Sequence, residues 1–354
     1  MSPSFTERAL VVRMSSIGDI VHTMPAFMAL RRAAPSALLG WVVEPAAAPL
    51  VQRLPGPLRV HVLDTHRWRR RWWHPAVARE VRSEIADLRR ERYEVALDFQ
   101  GLVKSALVGH LSGARLIGYA RSDLREPLAA RWYEATAPEF PAGRHVIWRG
   151  MELAKAAGVA ADDLEFPKLS DDRDEEYVDQ ELRKMGIARF AVVHAGSNWS
   201  SKNWAPLRFS AFGRAMVRRS GLPLIWVWGP GERKQAEVLA MSVGLGSQAA
   251  FPTSLTQLAA LLERADLFVG GDSAPLHLAV ACGTPITGIF GPTDPLRNGP
   301  LRREDQSVLH RLPCSFCFQR QCPVGTSQCL EGLTVDSVVA AALERLATAA
   351  AAAG

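Results

Sequence analysis

Residues 267–290 read LFVGGDSAPLHLAVACGTPITGIF. An apolar run ends at Gly270-Gly271-Asp272-Ser273, a segment of helical composition follows, and a second apolar run closes the stretch. Two short apolar runs around one helix are typical of a strand–helix–strand unit, whose strands lie parallel in the same sheet. Free backbone N–H groups at the start of such a helix favour an anion. The stretch therefore predicts a parallel sheet with an anion site where a strand ends.

The same alternation extends along the chain, where runs rich in Val, Ile and Leu recur between longer segments of helical period. The predicted strands fall into two sets: ALVVRM (9–14), LLGWVVE (38–44), RVHVLD (59–64), EVALDF (94–99) and ARLIGY (114–119), then FAVVHAG (190–196), LPLIWVWG (222–229), LFVGGD (267–272) and PITGIFG (285–291). The acidic segment DDLEFPKLSDDRDEEY lies between the sets. We expect an α/β fold of two Rossmann-like domains facing each other across a central cleft. Their predicted ranges are 1–165 and 166–335, followed by a C-terminal helix or tail at 336–354.

Length and charge narrow the class of protein. A chain of 354 residues exceeds what one hydrophobic core usually serves. The net charge of +6 favours an acidic partner, which could be nucleic acid, a phosphorylated small molecule or an anionic membrane surface. We find neither a signal peptide nor an apolar run of about 20 residues, so we expect a cytoplasmic protein.

The loop MSSIGD (14–19) directly follows the first predicted strand. Gly18 suits a tight turn at the start of a helix, and Asp19 suits either a helix N-cap or a catalytic base. The spacing lacks the G-x-G-x-x-G pattern of dinucleotide-binding loops. Pro25 predicts a break or kink in the helix that follows.

Three further strand-end loops carry candidate binding residues. In GSNWSSK (196–202) the small hydroxyl residues and Lys202 could hold a phosphate, although a solvated surface loop would look the same. In GPGE (229–232) the glycines admit a ligand and Glu232 could accept hydrogen bonds from ribose hydroxyls. His277 stands in the first turn after Asp272 and Ser273, a placement that favours a functional over a purely structural histidine.

Two other clusters are ambiguous from spacing alone. The run THRWRRRWWHP (65–75) could bind nucleic acid, an acidic sugar or lipid phosphates, with Trp68, Trp72 and Trp73 near headgroups, or it could be a solvated basic face. The pattern Cys314-x2-Cys317-x4-Cys322-x6-Cys329 could form a tetrahedral zinc or iron site, or four reduced structural thiols.

Six motifs in order carry a family resemblance: MSSIGDIVHTMPA (14–26), DFQGLVKSAL (98–107), REPLA (125–129), HAGSNWSSKNW (194–204), GDSAPLHLA (271–279) and FGPTDP (290–295). Together they resemble the bacterial ADP-heptose:lipopolysaccharide heptosyltransferases, glycosyltransferase family 9, and the N-terminal half is most similar to the heptosyltransferase I branch. The resemblance runs from about residue 8 to residue 340. Relatives usually carry glycine in place of Ala274, and the cysteine segment is more similar to heptosyltransferase II.

The resemblance implies an inverting GT-B glycosyltransferase that needs no metal ion for catalysis. It implies transfer of heptose from ADP-L-glycero-D-manno-heptose, bound by the C-terminal domain, to the Kdo inner core of lipopolysaccharide (Kdo2-lipid A), bound by the N-terminal domain. Asp19 matches the general base. The implied donor-binding residues are Ser197, Lys202, Glu232, Thr253, Asp272, Ser273, Ala274 and His277. The implied acceptor-binding residues are Arg67, Arg70, Arg71, Gln100, Lys104 and Arg125.

This reading also explains the positive charge through an anionic acceptor, without nucleic acid. It implies peripheral association with the inner face of the cytoplasmic membrane. Within the same fold, the alternatives are heptosyltransferase II or another GT-B transferase with a different donor or acceptor. The alternative from another class is a non-enzymatic nucleic-acid-binding protein with a zinc knuckle, which leaves MSSIGD and GGDSAPLH without a role.

Overall fold

A computed structural model describes Phe5 and residues 7–71 and 73–353. The chain forms two compact units, of which the first ends at Leu169 and the second begins at Ser170. Each unit has its own six-stranded parallel sheet covered by helices. The predicted architecture of two Rossmann-like α/β units is confirmed.

The sheet of the first unit has the strand order β3-β2-β1-β4-β5-β6. Its strands are β1 (Arg8–Val12), β2 (Leu38–Val43), β3 (Leu58–Val62), β4 (Val95–Asp98), β5 (Arg115–Gly118) and β6 (Ala135–Thr136). The central strands β1 and β4 are buried almost throughout, as expected for a parallel sheet covered on both faces. Val12 pairs with Asp98, so the loops that follow β1 and β4 leave the sheet side by side.

The helices of the first unit are α1 (Ile17–Ala33), α2 (Ala48–Val51), α3 (Thr65–Arg70), α4 (Pro75–Arg90), α5 (Val103–Leu111) and α6 (Val146–Ala156). Pro25 is buried inside α1, and the helix continues through it, so of the predicted break or kink the break is wrong. A proline removes one backbone hydrogen bond. Here α1 is buried over most of its length and packs on α6, and this packing holds the helix together.

The sheet of the second unit has the order β12-β11-β10-β7-β8-β9. Its strands are β7 (Ala191–His194), β8 (Leu224–Val227), β9 (Ser247–Ala249), β10 (Leu267–Gly271), β11 (Ile286–Phe290) and β12 (Gln306–Leu309). His194, the last residue of β7, pairs with Gly270 on one side and Val227 on the other. The loops after β7, β8 and β10 therefore meet at the carboxyl edge of this sheet, where open α/β sheets bind ligands.

The helices of the second unit are α7 (Asp172–Met185), α8 (Pro206–Ser220), α9 (Arg233–Val243), α10 (Leu255–Glu263), α11 (Ala274–Cys282), α12 (Pro295–Asn298), α13 (Gln328–Glu331) and α14 (Val335–Ala353). The C-terminal α14 packs on α8 and β11 and buries Val338 and Val339. A buried ion pair between Arg345 and Asp305, 2.7 Å long, also anchors it. Within the described residues, no helix combines the length and apolarity needed to cross a bilayer.

Candidate active site

Asp19 lies in the first turn of α1, directly after the loop that leaves β1. Its Oδ1 is 2.6 Å from Arg13 Nη2. Its Oδ2 accepts hydrogen bonds from the backbone N–H of Ser16 at 3.2 Å and from the Ser16 hydroxyl at 2.8 Å. The side chain remains 41% exposed. Ser16 is the N-cap of α1 and Asp19 is the third residue of the helix, so the suggestion that Asp19 is the N-cap is wrong. The carboxylate instead bonds the N-cap residue, as in a capping box, and is still open to a substrate.

The environment keeps Asp19 ionised. Burial of the carboxyl group acts to raise its pKa, but the charges of Arg13 and His22 and the hydrogen bonds from Ser16 outweigh burial and lower the pKa to about 2. The carboxylate is therefore ready to accept a proton at neutral pH. A pKa so low also makes it a weak base, because basicity falls with pKa.

The loop after β4 supports the same region. Gln100 Oε1 accepts a hydrogen bond from Met14 N–H at 2.9 Å, which ties this loop to the one that precedes Asp19. Asp98 is fully buried and accepts hydrogen bonds from four groups: the backbone N–H of Gln100 and Gly101 and the hydroxyls of Ser105 and Tyr133. Sequence reasoning missed the role of Asp98, although the carboxylate at the end of the buried run EVALDF was a signal.

Lys104, in the first turn of α5, faces the ends of two other strands. Its Nζ lies 3.1 Å from Glu44 Oε1 and 3.2 Å from the Thr65 hydroxyl. The backbone N–H of Glu44 donates to the carbonyl of Met14 at 3.0 Å. The structure therefore joins Gln100 and Lys104 to the loop of Asp19 through Met14 and Glu44.

The predicted acceptor-binding arginines differ in their ion pairs with acidic side chains. Arg67 forms ion pairs with Asp64 and Glu80, so its charge is already compensated. Exposed side chains are found at Arg70, Arg71, Arg125 and Trp73, the last with 66% exposure. Trp72 lies outside the described residues. Beside Arg125, Glu126 accepts a hydrogen bond from Val103 N–H at the start of α5, which places this loop next to the helix of Lys104.

In the second unit, Lys202, Asp272 and His277 form one buried cluster. Lys202 Nζ lies 2.8 Å from Asp272 Oδ2, and His277 Nε2 lies 3.0 Å from Asp272 Oδ1. Burial acts to raise the pKa of Asp272, but His277 and Lys202 outweigh it and hold the pKa far below its ordinary value. Ala274 is the first residue of α11, so the cluster adjoins the start of that helix.

A second network joins Ser273 and Glu232 through His194. One ring nitrogen, Nδ1, is 3.0 Å from Ser273 Oγ, and the other, Nε2, is 3.2 Å from Glu232 Oε2. Glu232 Oε2 also accepts from Gly229 N–H at 2.8 Å. The sequence analysis did not select His194, and its position at the end of a buried strand, in HAGSNWSSK, was the available signal.

The turn that carries Lys202 is held from outside by the cysteine-bearing segment. The Ser201 hydroxyl donates to the carbonyl of Gln319 at 2.6 Å, and Ser201 N–H and the Ser200 hydroxyl both donate to the carbonyl of Arg320 at 3.3 Å. The Lys202 ammonium also lies 4.4 Å from the centroid of the Trp199 ring. The cysteine segment is thus part of the support of this site.

Two of the residues predicted to bind the sugar donor, Ser197 and Thr253, lie outside these hydrogen-bond networks. Ser197 accepts a hydrogen bond from Trp199 N–H at 3.2 Å and so shapes the loop after β7. Thr253 is half-buried in the loop that precedes α10. No hydrogen bond among the described residues joins Thr253 to Lys202, Glu232 or Asp272.

The four clustered cysteines line a single small cavity of about 40 Å³, and all are free thiols. In the part of the chain that the structure describes, no group of three or more His, Cys, Asp or Glu side chains is arranged to hold a metal ion. The suggested site at Cys314, Cys317, Cys322 and Cys329 is therefore not assembled here. The short spacing does bring the four cysteines to one cavity.

These arrangements define two kinds of chemistry. The first unit offers an accessible, ionised carboxylate as a proton acceptor. The second offers a lysine, a hydroxyl and a helix start that suit a diphosphate, and a carboxylate at Glu232 that suits hydroxyl groups.

Comparisons with known proteins show which family and which solved structures this chain is similar to. A family model described as glycosyltransferase family 9 (heptosyltransferase) matches residues 81–327. Lipopolysaccharide heptosyltransferase 1 of Pseudomonas aeruginosa is 32% identical over 321 residues, which are 89% of this chain and 87% of that protein. Its namesake in Escherichia coli K12 is 29% identical and covers 81% of this chain and 89% of its own length. Among solved structures, the E. coli heptosyltransferase WaaC with ADP has a TM-score of 0.77 at 25% identity and covers 96% of this chain and 99% of its own.

Proposed function

The chain belongs to glycosyltransferase family 9, the heptosyltransferase family, and from this premise we propose that it transfers heptose from ADP-L-glycero-D-manno-heptose to the Kdo inner core of Kdo2-lipid A. It is a glycosyltransferase of lipopolysaccharide core synthesis with the GT-B fold expected from the sequence. The family assignment excludes the non-enzymatic nucleic-acid-binding alternative. The observation that carries the proposal is the exposed, ionised Asp19 in one unit together with the anion-holding set around Lys202 in the other.

Asp19 acts as the general base in this proposal. The acceptor hydroxyl attacks the anomeric carbon of the heptose, its proton passes to a carboxylate oxygen of Asp19, and the bond from the anomeric carbon to the ADP oxygen breaks. Attack on the face opposite the leaving group inverts the anomeric configuration. One Asp19 oxygen is shared with Arg13 and the other with Ser16, so the hydroxyl approaches through a remaining lone pair.

Charge on the departing ADP is neutralised by the protein without a metal ion. Lys202 now pairs with Asp272, and an entering diphosphate shares that ammonium group. The start of α11, with Ser273 and Ala274, adds backbone donors and a partial positive charge. Glu232 accepts hydrogen bonds from the ribose hydroxyls. His277 keeps Asp272 oriented toward Lys202.

The first unit binds the acceptor in this proposal. Kdo carboxylates and lipid A phosphates are anions, and Arg70, Arg71, Arg125 and Lys104 are their counter-charges, with arginine favoured for a bidentate grip. Arg67 is already paired with Glu80 and Asp64. In this proposal it therefore supports the neighbouring Arg70 and Arg71 from within α3. The exposed Trp73 beside these arginines supports peripheral association with the inner face of the cytoplasmic membrane.

The test is release of ADP from ADP-heptose in the presence of Kdo2-lipid A. Asp19→Ala should lower kcat by about 10² to 10⁴, because a positioned general base contributes that much, and should leave the Kd for ADP unchanged. Glu165→Ala is the matched control, since Glu165 is also a half-exposed carboxylate paired with an arginine, and it should turn over like the wild type.

Three results would contradict the proposal. Full turnover by Asp19→Ala removes the assigned base. Binding of UDP or GDP as tight as that of ADP, measured by calorimetry, points instead to another GT-B transferase. Turnover only with an acceptor that already carries one heptose identifies heptosyltransferase II.

A further inference from the structure

His194 is enclosed at the carboxyl edge of the second sheet, where its side chain is 5% exposed. It ends β7 between the ends of β8 and β10. A buried polar ring at such a place requires partners for both nitrogen atoms. Its two partners, Ser273 and Glu232, immediately precede α11 and α9. The ring therefore links the starts of two helices that approach the sheet from different strands.

The proton positions in this network follow from chemistry. The hydrogen bond from His194 and the one from Gly229 N–H lower the pKa of Glu232 in spite of its partial burial. An ionised carboxylate only accepts, so His194 Nε2 must carry the proton between them. The Ser273 hydroxyl has one proton, which it donates either to Nδ1 or to the carbonyl of Gly271 at 3.2 Å. Because the ring proton is on Nε2, Nδ1 can only accept, and the ring is fully satisfied when the Ser273 hydroxyl donates to Nδ1.

The position of Glu232 depends on this contact. A Cβ built on Gly196 would lie 2.1 Å from Glu232 Oε1, so the carboxylate lies against the backbone of the loop that follows His194. Without the imidazole, the bond from Gly229 N–H is the one that remains on Oε2. A side chain that is 26% exposed would then turn toward solvent.

We propose that His194 is a positioning residue for the nucleotide donor, holding the Glu232 carboxylate for the ribose hydroxyls and the Ser273 hydroxyl for the diphosphate. One imidazole then fixes the spacing between the side chain that binds the ribose and the side chain that binds the diphosphate. This inference rests on the donor site of the proposed function.

The experiment is calorimetric titration of the full-length protein with ADP. His194→Phe keeps the ring volume and removes both contacts, and we expect the Kd for ADP to rise about 10- to 100-fold, as expected for loss of a hydrogen bond to a charged group. His194→Gln can replace the Nε2 contact with Glu232, and His194→Asn can replace the Nδ1 contact with Ser273. Because the bond to a carboxylate is the stronger, the Gln variant should bind ADP more tightly than the Asn variant.

A double-mutant cycle separates positioning from a general loss of structure. In the background of Glu232→Gln, His194→Phe should weaken ADP binding by a smaller factor than in the wild type. His61→Phe is the matched control, because His61 is a buried histidine bonded to Tyr93 in the first unit. It should leave the Kd for ADP unchanged.

The outcomes distinguish the two proposals. If the wild type fails to bind ADP, the donor site of the proposed function is wrong and this inference is overturned with it. If the wild type binds ADP and His194→Phe binds equally well, only the role of His194 is overturned. If His194→Phe does not fold, the ADP affinities of His194→Gln and His194→Asn are compared instead. Equal affinities of these two variants would contradict the positioning role of His194.

Discussion

Asp19 is engaged by three donor groups before any substrate arrives: the Arg13 guanidinium, and the hydroxyl and backbone N–H of Ser16. Each contact favours the ionised carboxylate. The same contacts weaken it as a base, since an acceptor hydroxyl must compete with Arg13 for the negative charge. Arg13 is itself fixed by a hydrogen bond to the carbonyl of Phe99. Arg13 therefore sets how strongly Asp19 attracts a proton.

Substitution of Arg13 tests this balance. Arg13→Met leaves the effect of burial less opposed, so the pKa of Asp19 rises from about 2. In the wild type, Asp19 stays ionised down to about pH 3, and kcat/KM should show no acid limb from this group at higher pH. In Arg13→Met, kcat/KM should begin to fall at a higher pH than in the wild type when the solution is acidified, because Asp19 takes up its proton at a higher pH.

The measurement is a pH profile of kcat/KM for both proteins. Arg13→Lys keeps the positive charge and should restore most of the wild-type profile. Identical acid limbs in the wild type and Arg13→Met would show that Arg13 does not control the ionisation of Asp19.

At the scale of residues, the sequence predicts which side chains belong to the site better than it predicts their hydrogen-bond partners. Asp19, Lys202, Glu232 and Asp272 are visible because each lies at the end of an apolar run or in the loop that follows one. The hydrogen-bond partners of His194 are not visible in the sequence, since Glu232 is 38 positions away and Ser273 is 79 positions away. Only the pairing of β7 with its neighbours brings them together.

At the scale of elements, the cysteine-bearing segment is joined to the Lys202 turn by backbone carbonyls and not by its thiols. The segment lacks long regular structure, apart from the short α13. Its contribution to the site therefore depends on a few hydrogen bonds to Ser200 and Ser201.

Ser201→Ala tests that support. Loss of the 2.6 Å hydrogen bond to the carbonyl of Gln319 should loosen the Lys202 turn and raise the Kd for ADP about 2- to 10-fold, the effect expected for one neutral hydrogen bond. Calorimetry with ADP measures the change. Ser337→Ala, which removes an exposed hydroxyl that donates to the carbonyl of Thr334 just before α14, serves as control and should leave Kd unchanged. An unaltered Kd in Ser201→Ala would show that the segment does not support the donor site.

The elements themselves were predictable where they are buried. All nine predicted strands are present, and eight of them are buried over most of their length, where a strand covered on both faces must be apolar. The exception is the edge strand β3, which is only partly buried. The strands β6, β9 and β12 were missed. They stand at sheet edges, are short or partly polar, and carry no continuous apolar run.

At the scale of the whole molecule, each unit has a core of its own, and each core holds one half of the proposed chemistry. In the proposal, the base comes from the first unit and the donor-binding residues come from the second. The family resemblance in the sequence predicted this division, since its motifs fall in both halves. Local patterns could not predict which hydrogen bonds orient the groups, because those bonds depend on sheet order.

The most direct test of the account is a crystal structure of Asp19→Asn with ADP-heptose and a soluble Kdo acceptor bound together. Asparagine keeps the shape of the side chain and stops the reaction, so both substrates remain in place. The account predicts the side chain of residue 19 within about 3 Å of the attacking Kdo hydroxyl, the reach of a general base. We also predict that the diphosphate of the donor contacts Lys202. An acceptor hydroxyl that contacts a different carboxylate, with residue 19 out of hydrogen-bonding reach, would contradict it.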